Sequence, residues 1–140
     1  MSPRTVALII AFALAPLAGT RAQDAAAPAK APESLILYFD SGSSTLRPQD
    51  DAILDQASRL YRDGKPIVMV VSGSTDSVGA AAANLALSQR RAESVLRGLI
   101  SRGIPAERFQ VLAKGETEPA VPAPPGTAEA KNRRVEITWR

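Results

Sequence analysis

Residues 73–95 read GSTDSVGAAAANLALSQRRAESV, and the segments on either side take their assignments from them. Val68 to Val71, just upstream, is uniformly apolar and suits a strand buried on both faces, while Gly73-Ser74-Thr75-Asp76 ends it with turn chemistry. An Ala-rich run of high helix propensity follows. Asp76 therefore stands just past a strand end and close to a helix start. At about 100° per residue, Leu85, Ala92, Val95, Leu96 and Leu99 share one side of that helix and are predicted to be core. Asn84 and Arg91, seven residues apart, fall within about 20° of each other at the edge of the stripe, so both can face one cleft. Arg90, Glu93 and Arg97 project from the opposite side and read as solvated charge.

Working outward, the helix is expected to run to about Arg102, with Gly103 as its left-handed terminator and Pro105 preventing continuation. Arg108 to Lys114 is a third strand, in which Phe109, Val111 and Ala113 alternate with other residues. Gly115 to Lys131 is a Pro-rich loop, and Arg133 to Trp139 closes the sheet with Val135, Ile137 and Trp139 on one face. On the N-terminal side, Pro66 to Ser72 is the central strand, and Leu35 to Phe39 is a short apolar and aromatic one. Between these two strands, Arg47-Pro48 opens a helix with Asp50 and Asp51 near its positive end. Ile53, Ala57, Leu60 and Tyr61 mark its buried side, and Asp63-Gly64 ends it. The order strand, helix, strand, helix, strand, strand predicts an α+β two-layer sandwich: a mixed four-stranded sheet with two helices on one face.

Composition removes several function classes. With no Cys and no His, disulfides, thiol or imidazole nucleophiles and the usual zinc sites are excluded, so no metal or cofactor is expected. A pI of 9.7 suggests a basic protein, but Arg4 and Arg21 lie in a stretch without acids, and without them the net charge of +3 falls to +1. That balance gives no support for a nucleic-acid partner. Aromatic residues make up 4% of the chain, which leaves stacking platforms poorly supplied. Paired cleft carboxylates are also missing, Asp76 being the one convincing cleft acid, so no enzyme is expected.

The pattern T-D-x-x-G-x(4)-N-x-x-L-S-x-x-R-A-x-x-V comprises Thr75, Asp76, Gly79, Asn84, Leu87, Ser88, Arg91, Ala92 and Val95. It resembles the peptidoglycan-binding OmpA-like domain, found in the C-terminal part of outer membrane protein A, in the peptidoglycan-associated lipoprotein and in the flagellar stator protein MotB. Gly103-Ile104-Pro105, Lys114-Gly115-Glu116 with Pro119, and Asn132-Arg133-Arg134-Val135-Glu136-Ile137 extend the likeness over roughly residues 35–140. The resemblance implies the same βαβαββ arrangement. It also implies a ligand, the free end of meso-diaminopimelate in the stem peptide of peptidoglycan. Asp76 would accept its ammonium and Arg91 would clamp its carboxylate with two parallel hydrogen bonds, with Asn84 adding an amide. Read from the residues alone, Asp76 equally suits a helix cap paired with Arg91; the resemblance favours the ligand. In many relatives an acidic or amide side chain stands where Gly42 does, so the first loop is expected to serve through groups near Ser43. Of Arg133 and Arg134, Arg134 is chosen as lining the cleft.

The chain divides, on this basis, into a signal peptide over residues 1–22, a flexible Ala/Pro leader over 23–33 and an OmpA-like domain over 34–140. The apolar run Val6 to Leu17 is shorter than the about 20 residues a membrane span needs. Thr20 stands where a lipoprotein signal would carry Cys, so no lipid anchor is expected. The implied setting is the periplasm, in association with the cell wall and with a partner protein as the route to the outer membrane. Peptidoglycan is the expected partner; the alternative function is an envelope protein interaction module without wall binding. Intact mass of the envelope-fraction protein should show a chain beginning near Gln23 with no lipid adduct, and retention of residues 1–22 would reject cleavage.

Overall fold

The computed structural model describes residues 33–66 and 68–140. The expected signal peptide and nearly all of the leader lie outside the described residues. Strand β1 is Ser34–Tyr38, helix α1 Asp50–Gly64, β2 Met69–Gly73, α2 Ala81–Ile100, β3 Phe109–Ala113 and β4 Arg134–Trp139. Single 3-10 turns at Ala106–Arg108 and Ala130–Asn132 precede the last two strands. The strands line up in the order β1-β4-β2-β3, with β1–β4 and β4–β2 antiparallel and β2–β3 parallel. This is the mixed α+β sheet that the pattern predicts.

Every residue of β2 is buried, as its unbroken apolar run requires, and the strand occupies an interior position between β4 and β3. Alternation does the rest. Leu35 and Leu37 on β1, Met69 and Val71 on β2, and Val135 and Ile137 on β4 face a core completed by Leu54 and Ala57 of α1 and by Ala92, Val95 and Leu99 of α2. Both helices therefore cover one face. A buried aliphatic side chain contributes about 1.5–3 kcal/mol, so these residues supply most of the drive to fold.

The predicted helix stripes need two corrections. Leu85 is 51% exposed and is not core. It sits beside the loop that follows β3, an edge strand, where no sheet remains to cover it. The buried line of α2 instead runs Asn84, Leu87, Ser88, Arg91, Ala92, Val95, Leu99, so three of its first four members are polar. In α1 the most deeply buried large residue is Leu54, with Ile53, Leu60 and Tyr61 packed at the margin of the core. Ser72, Gln110, Leu112, Arg134 and Glu136 belong to the opposite face of the sheet by strand alternation.

Helix α1 ends at Gly64, as the sequence suggests, and the residue after it, Lys65, adopts the left-handed conformation at φ 43°, ψ 58° while donating its N–H to the Tyr61 carbonyl at 2.8 Å. A residue with a Cβ is strained there. Lys65→Gly is expected to raise the unfolding free energy by up to about 1 kcal/mol, read as a higher denaturation midpoint at unchanged slope. A lowered midpoint would show that the Lys65 side chain supplies more than the strain costs.

Candidate ligand-binding site

Because β1 runs parallel to β2, and β4 antiparallel to both, the C-terminal ends of β1, β2 and β3 meet the N-terminal end of β4 at one edge of the sandwich. The loops leaving that edge hold Ser43 and Asp76, and α2 brings Asn84 and Arg91 to it. Arg91 enters it from the third turn of α2 and is completely buried. Its Nε donates to the Ser43 carbonyl at 2.8 Å, its Nη1 to that of Ser74 at 3.0 Å and its Nη2 to that of Asp40 at 3.0 Å. One guanidinium thus ties the β1–α1 loop to the β2–α2 loop, and its carbon lies 5.4 Å from the centre of the Phe39 ring. Burial pushes its pKa down from the ordinary guanidinium range to about 10, with Asp76 opposing the shift. It stays charged below about pH 9 in both folded and unfolded chains and gives no pH dependence there. From about pH 10 upward the unfolded chain holds this proton more tightly than the folded one, so there its titration makes stability rise with pH.

Asp76 is 6% exposed. Its Oδ1 accepts the Val78 N–H at 3.3 Å, while its Oδ2 accepts the Glu129 N–H at 3.4 Å and pairs with Arg133 Nη1 at 3.2 Å. It does not cap α2, whose N-cap is Ala80 with no side-chain bond. All three contacts lie at or beyond the long end of the ordinary hydrogen-bond range, so the carboxylate has acceptor capacity left. Arg91 likewise has five N–H donors and spends three on the loop carbonyls.

Asn84 is brought to the same edge but turned to another partner set: its amide nitrogen donates to the Val78 carbonyl and to Glu116, both at 2.9 Å. Ser43 contributes its carbonyl to Arg91, and its hydroxyl accepts the Thr45 N–H. Gly42 sits at φ +67° with open space where a Cβ would stand, a conformation that Asn and Asp also tolerate. The acidic or amide side chain of many relatives would therefore fit this loop without a clash.

Arg133, not Arg134, reaches Asp76; its Nε also donates to the Phe39 carbonyl at 3.0 Å. Strand parity explains this. Val135 and Ile137 point into the core, so Arg133 shares their side and Arg134 takes the other, where it lies within the electrostatic reach of Glu118. That parity was present in the sequence and would have selected Arg133. Glu116, by contrast, had no signal beyond its place in the Lys114-Gly115-Glu116 motif.

Asn132 pins the long loop to this edge. Its side chain accepts the Val121 N–H at 2.9 Å and donates to the Val121 carbonyl at 2.8 Å. Ser77 takes the Gly126 N–H at 2.9 Å, which closes residues 120–129 over Asp76.

A two-layer α+β domain whose loops enclose a buried Asp–Arg–Arg cluster at one sheet edge is a binding module in form. The family model for the OmpA family matches residues 38–133, and the chain belongs to that family. The domains of this family are binding domains, not enzymes. The chain is 39% identical over 100 residues to outer membrane protein A of Bordetella avium, covering 71% of this chain and 52% of that protein. Among solved structures, it is similar to the peptidoglycan-associated lipoprotein from Burkholderia pseudomallei, with a TM-score of 0.69 and 28% identity over 78% of this chain and 91% of that one. It is also similar to the cell wall anchor of the T6SS from Pseudomonas aeruginosa, with a TM-score of 0.61 and 30% identity over 76% and 79% of the two chains. The chain spans about half the length of the curated relatives it matches first. Among the described residues, no helix is long and apolar enough to cross a membrane.

Proposed function

We propose that this chain binds peptidoglycan non-covalently in the cell envelope, through the ammonium and carboxylate at the free end of diaminopimelate in the stem peptide. The supporting observation is the juxtaposition of Asp76 with two arginines inside one ring of loops, in a chain similar to a peptidoglycan-associated lipoprotein and to a cell wall anchor. Asp76 accepts the ammonium, for which its three long contacts leave room. The two unspent N–H groups of Arg91 and those of Arg133 face the carboxylate, and the loop carbonyls keep Arg91 in place. Fixed donors around a ligand that already carries both charges avoid reorganisation on binding.

Asp76→Asn keeps the shape and removes the charge. It is expected to weaken binding to diaminopimelate-containing sacculi by about 2 kcal/mol, roughly 30-fold, read by pull-down or calorimetry on the folded variant. Walls with lysine in place of diaminopimelate lack the side-chain carboxylate and should bind worse than the parent wall. Unchanged binding by Asp76→Asn would favour the second reading, an envelope protein interaction module without wall binding. The complete burial of Arg91 against three carbonyls is the observation on that side.

A further inference from the structure

We infer that the basic groove opening beside the Asp76–Arg133 pair holds a second carboxylate of the same stem peptide, so that the domain discriminates between free-acid and amidated forms of its ligand. This rests on the diaminopimelate reading above. The groove, of about 320 Å³, is lined by Tyr38, Phe39, Arg47, Lys131 and Arg133, with Asp40 as its single lining acid. It continues the anchor site directly. Arg133 is the ion-pair partner of Asp76, the Phe39 ring lies under Arg91, and the Asp40 carbonyl accepts from Arg91.

Three cations line the groove against one acid, and their donors are largely unspent. The buried carboxylate of Asp50 accepts the Arg47 backbone N–H at 2.8 Å, which fixes that residue at the rim, but it meets the guanidinium only through Nε at 3.5 Å. No acceptor among the described residues bonds the terminal nitrogens of Arg47 or the Lys131 ammonium. An anion placed there gains charge-assisted hydrogen bonds from Arg47 and Lys131 without breaking any internal pair. A stem peptide offers such a group on either neighbour of diaminopimelate: the α-carboxylate of the γ-linked glutamate before it, or the terminal carboxylate of the alanine after it. With the diaminopimelate end anchored, each is tethered within a residue length or two, at about 3.5 Å per residue, and its local concentration is correspondingly high.

The test is calorimetric titration of the full chain with the tetrapeptide L-Ala-γ-D-Glu-meso-diaminopimelate-D-Ala and with its two mono-amides, one blocked at the glutamate and one at the terminal alanine. The parent should bind one mono-amide about 5- to 10-fold more weakly than the free acid, and which one it is names the carboxylate. Arg47→Ala and Lys131→Ala should each reduce that difference while leaving the disfavoured amide bound as in the parent, and added salt should narrow the gap in the parent. Lys131 is exposed, so its variant remains informative even if Arg47→Ala folds poorly. Equal binding of all three peptides by the parent, or full discrimination retained in Lys131→Ala, would overturn the second contact alone. Binding of none of them would overturn the diaminopimelate reading and this inference with it.

Discussion

Arg91→Ala is expected to destabilise the domain by about 3–5 kcal/mol, read as a lowered denaturation midpoint, whatever it does to ligand binding. Three carbonyls, those of Asp40, Ser43 and Ser74, lose this donor at once; the Asp40 carbonyl keeps the Ser43 N–H at 3.1 Å, and a buried acceptor left unsatisfied, as that of Ser74 would be, costs about 1–3 kcal/mol. Two effects oppose this. The parent carries the desolvation cost of a buried cation, and a polar hole of this size admits water. Neither restores the link between the β1–α1 and β2–α2 loops, so the loss should stay large. Arg91→Lys should recover less than half of it, because one compact ammonium cannot reproduce a planar fork directed at carbonyls on two loops. A variant within about 1 kcal/mol of the parent would show that the loops hold themselves together. A binding defect in Arg91→Ala is consequently ambiguous, and Asp76→Asn is the cleaner probe of the ligand.

Gly73→Ala should be of comparable size, about 3 kcal/mol or more, for a purely steric reason. A Cβ at residue 73 would overlap the backbone carbonyl oxygen of Ser88 and lie 2.8 Å from its carbonyl carbon. Neither neighbour can yield by changing a rotamer, since both are backbone atoms of α2. The strand and helix would have to separate at the point where Ser88 Oγ accepts the Gly115 N–H and Thr75 N–H donates to the Gly115 carbonyl. Denaturant unfolding with a midpoint close to the parent's would contradict so close an approach of β2 and α2. Gly64→Ala, with nothing within 4 Å of the added Cβ, is the matched control.

The elements that the sequence made legible are those with local signals. Met69 to Val71 announced a central strand by unbroken apolarity, and Gly103, at φ +94°, announced the end of α2 by its chemistry. Leu85 misled because helical periodicity shows which side a residue occupies and not whether the sheet extends beneath it. At the site, the sequence could place Asp76 just past a strand end and Arg91 on the helix edge that faces the same cleft. It could not show that Arg91 spends three donors on backbone carbonyls, because those contacts join residues 17 to 51 positions apart. The Asp76–Arg133 pair spans 57 positions and was open to inference only through strand parity in β4. Charge chemistry is written locally, whereas the partner that satisfies each charge is set by topology.

The central claim is that this ring of loops receives a group bearing both an ammonium and a carboxylate. The most direct measurement is an amide chemical-shift titration of the isotopically labelled chain with the meso-diaminopimelate tetrapeptide, beside the lysine tetrapeptide as control. Saturable shifts are expected, concentrated in residues 40–43, 74–79 and 129–133 and weaker or absent with the lysine peptide. Shifts confined to the opposite face of the sheet, around Leu112 and Glu136, or no shifts at all at millimolar peptide, would contradict that claim.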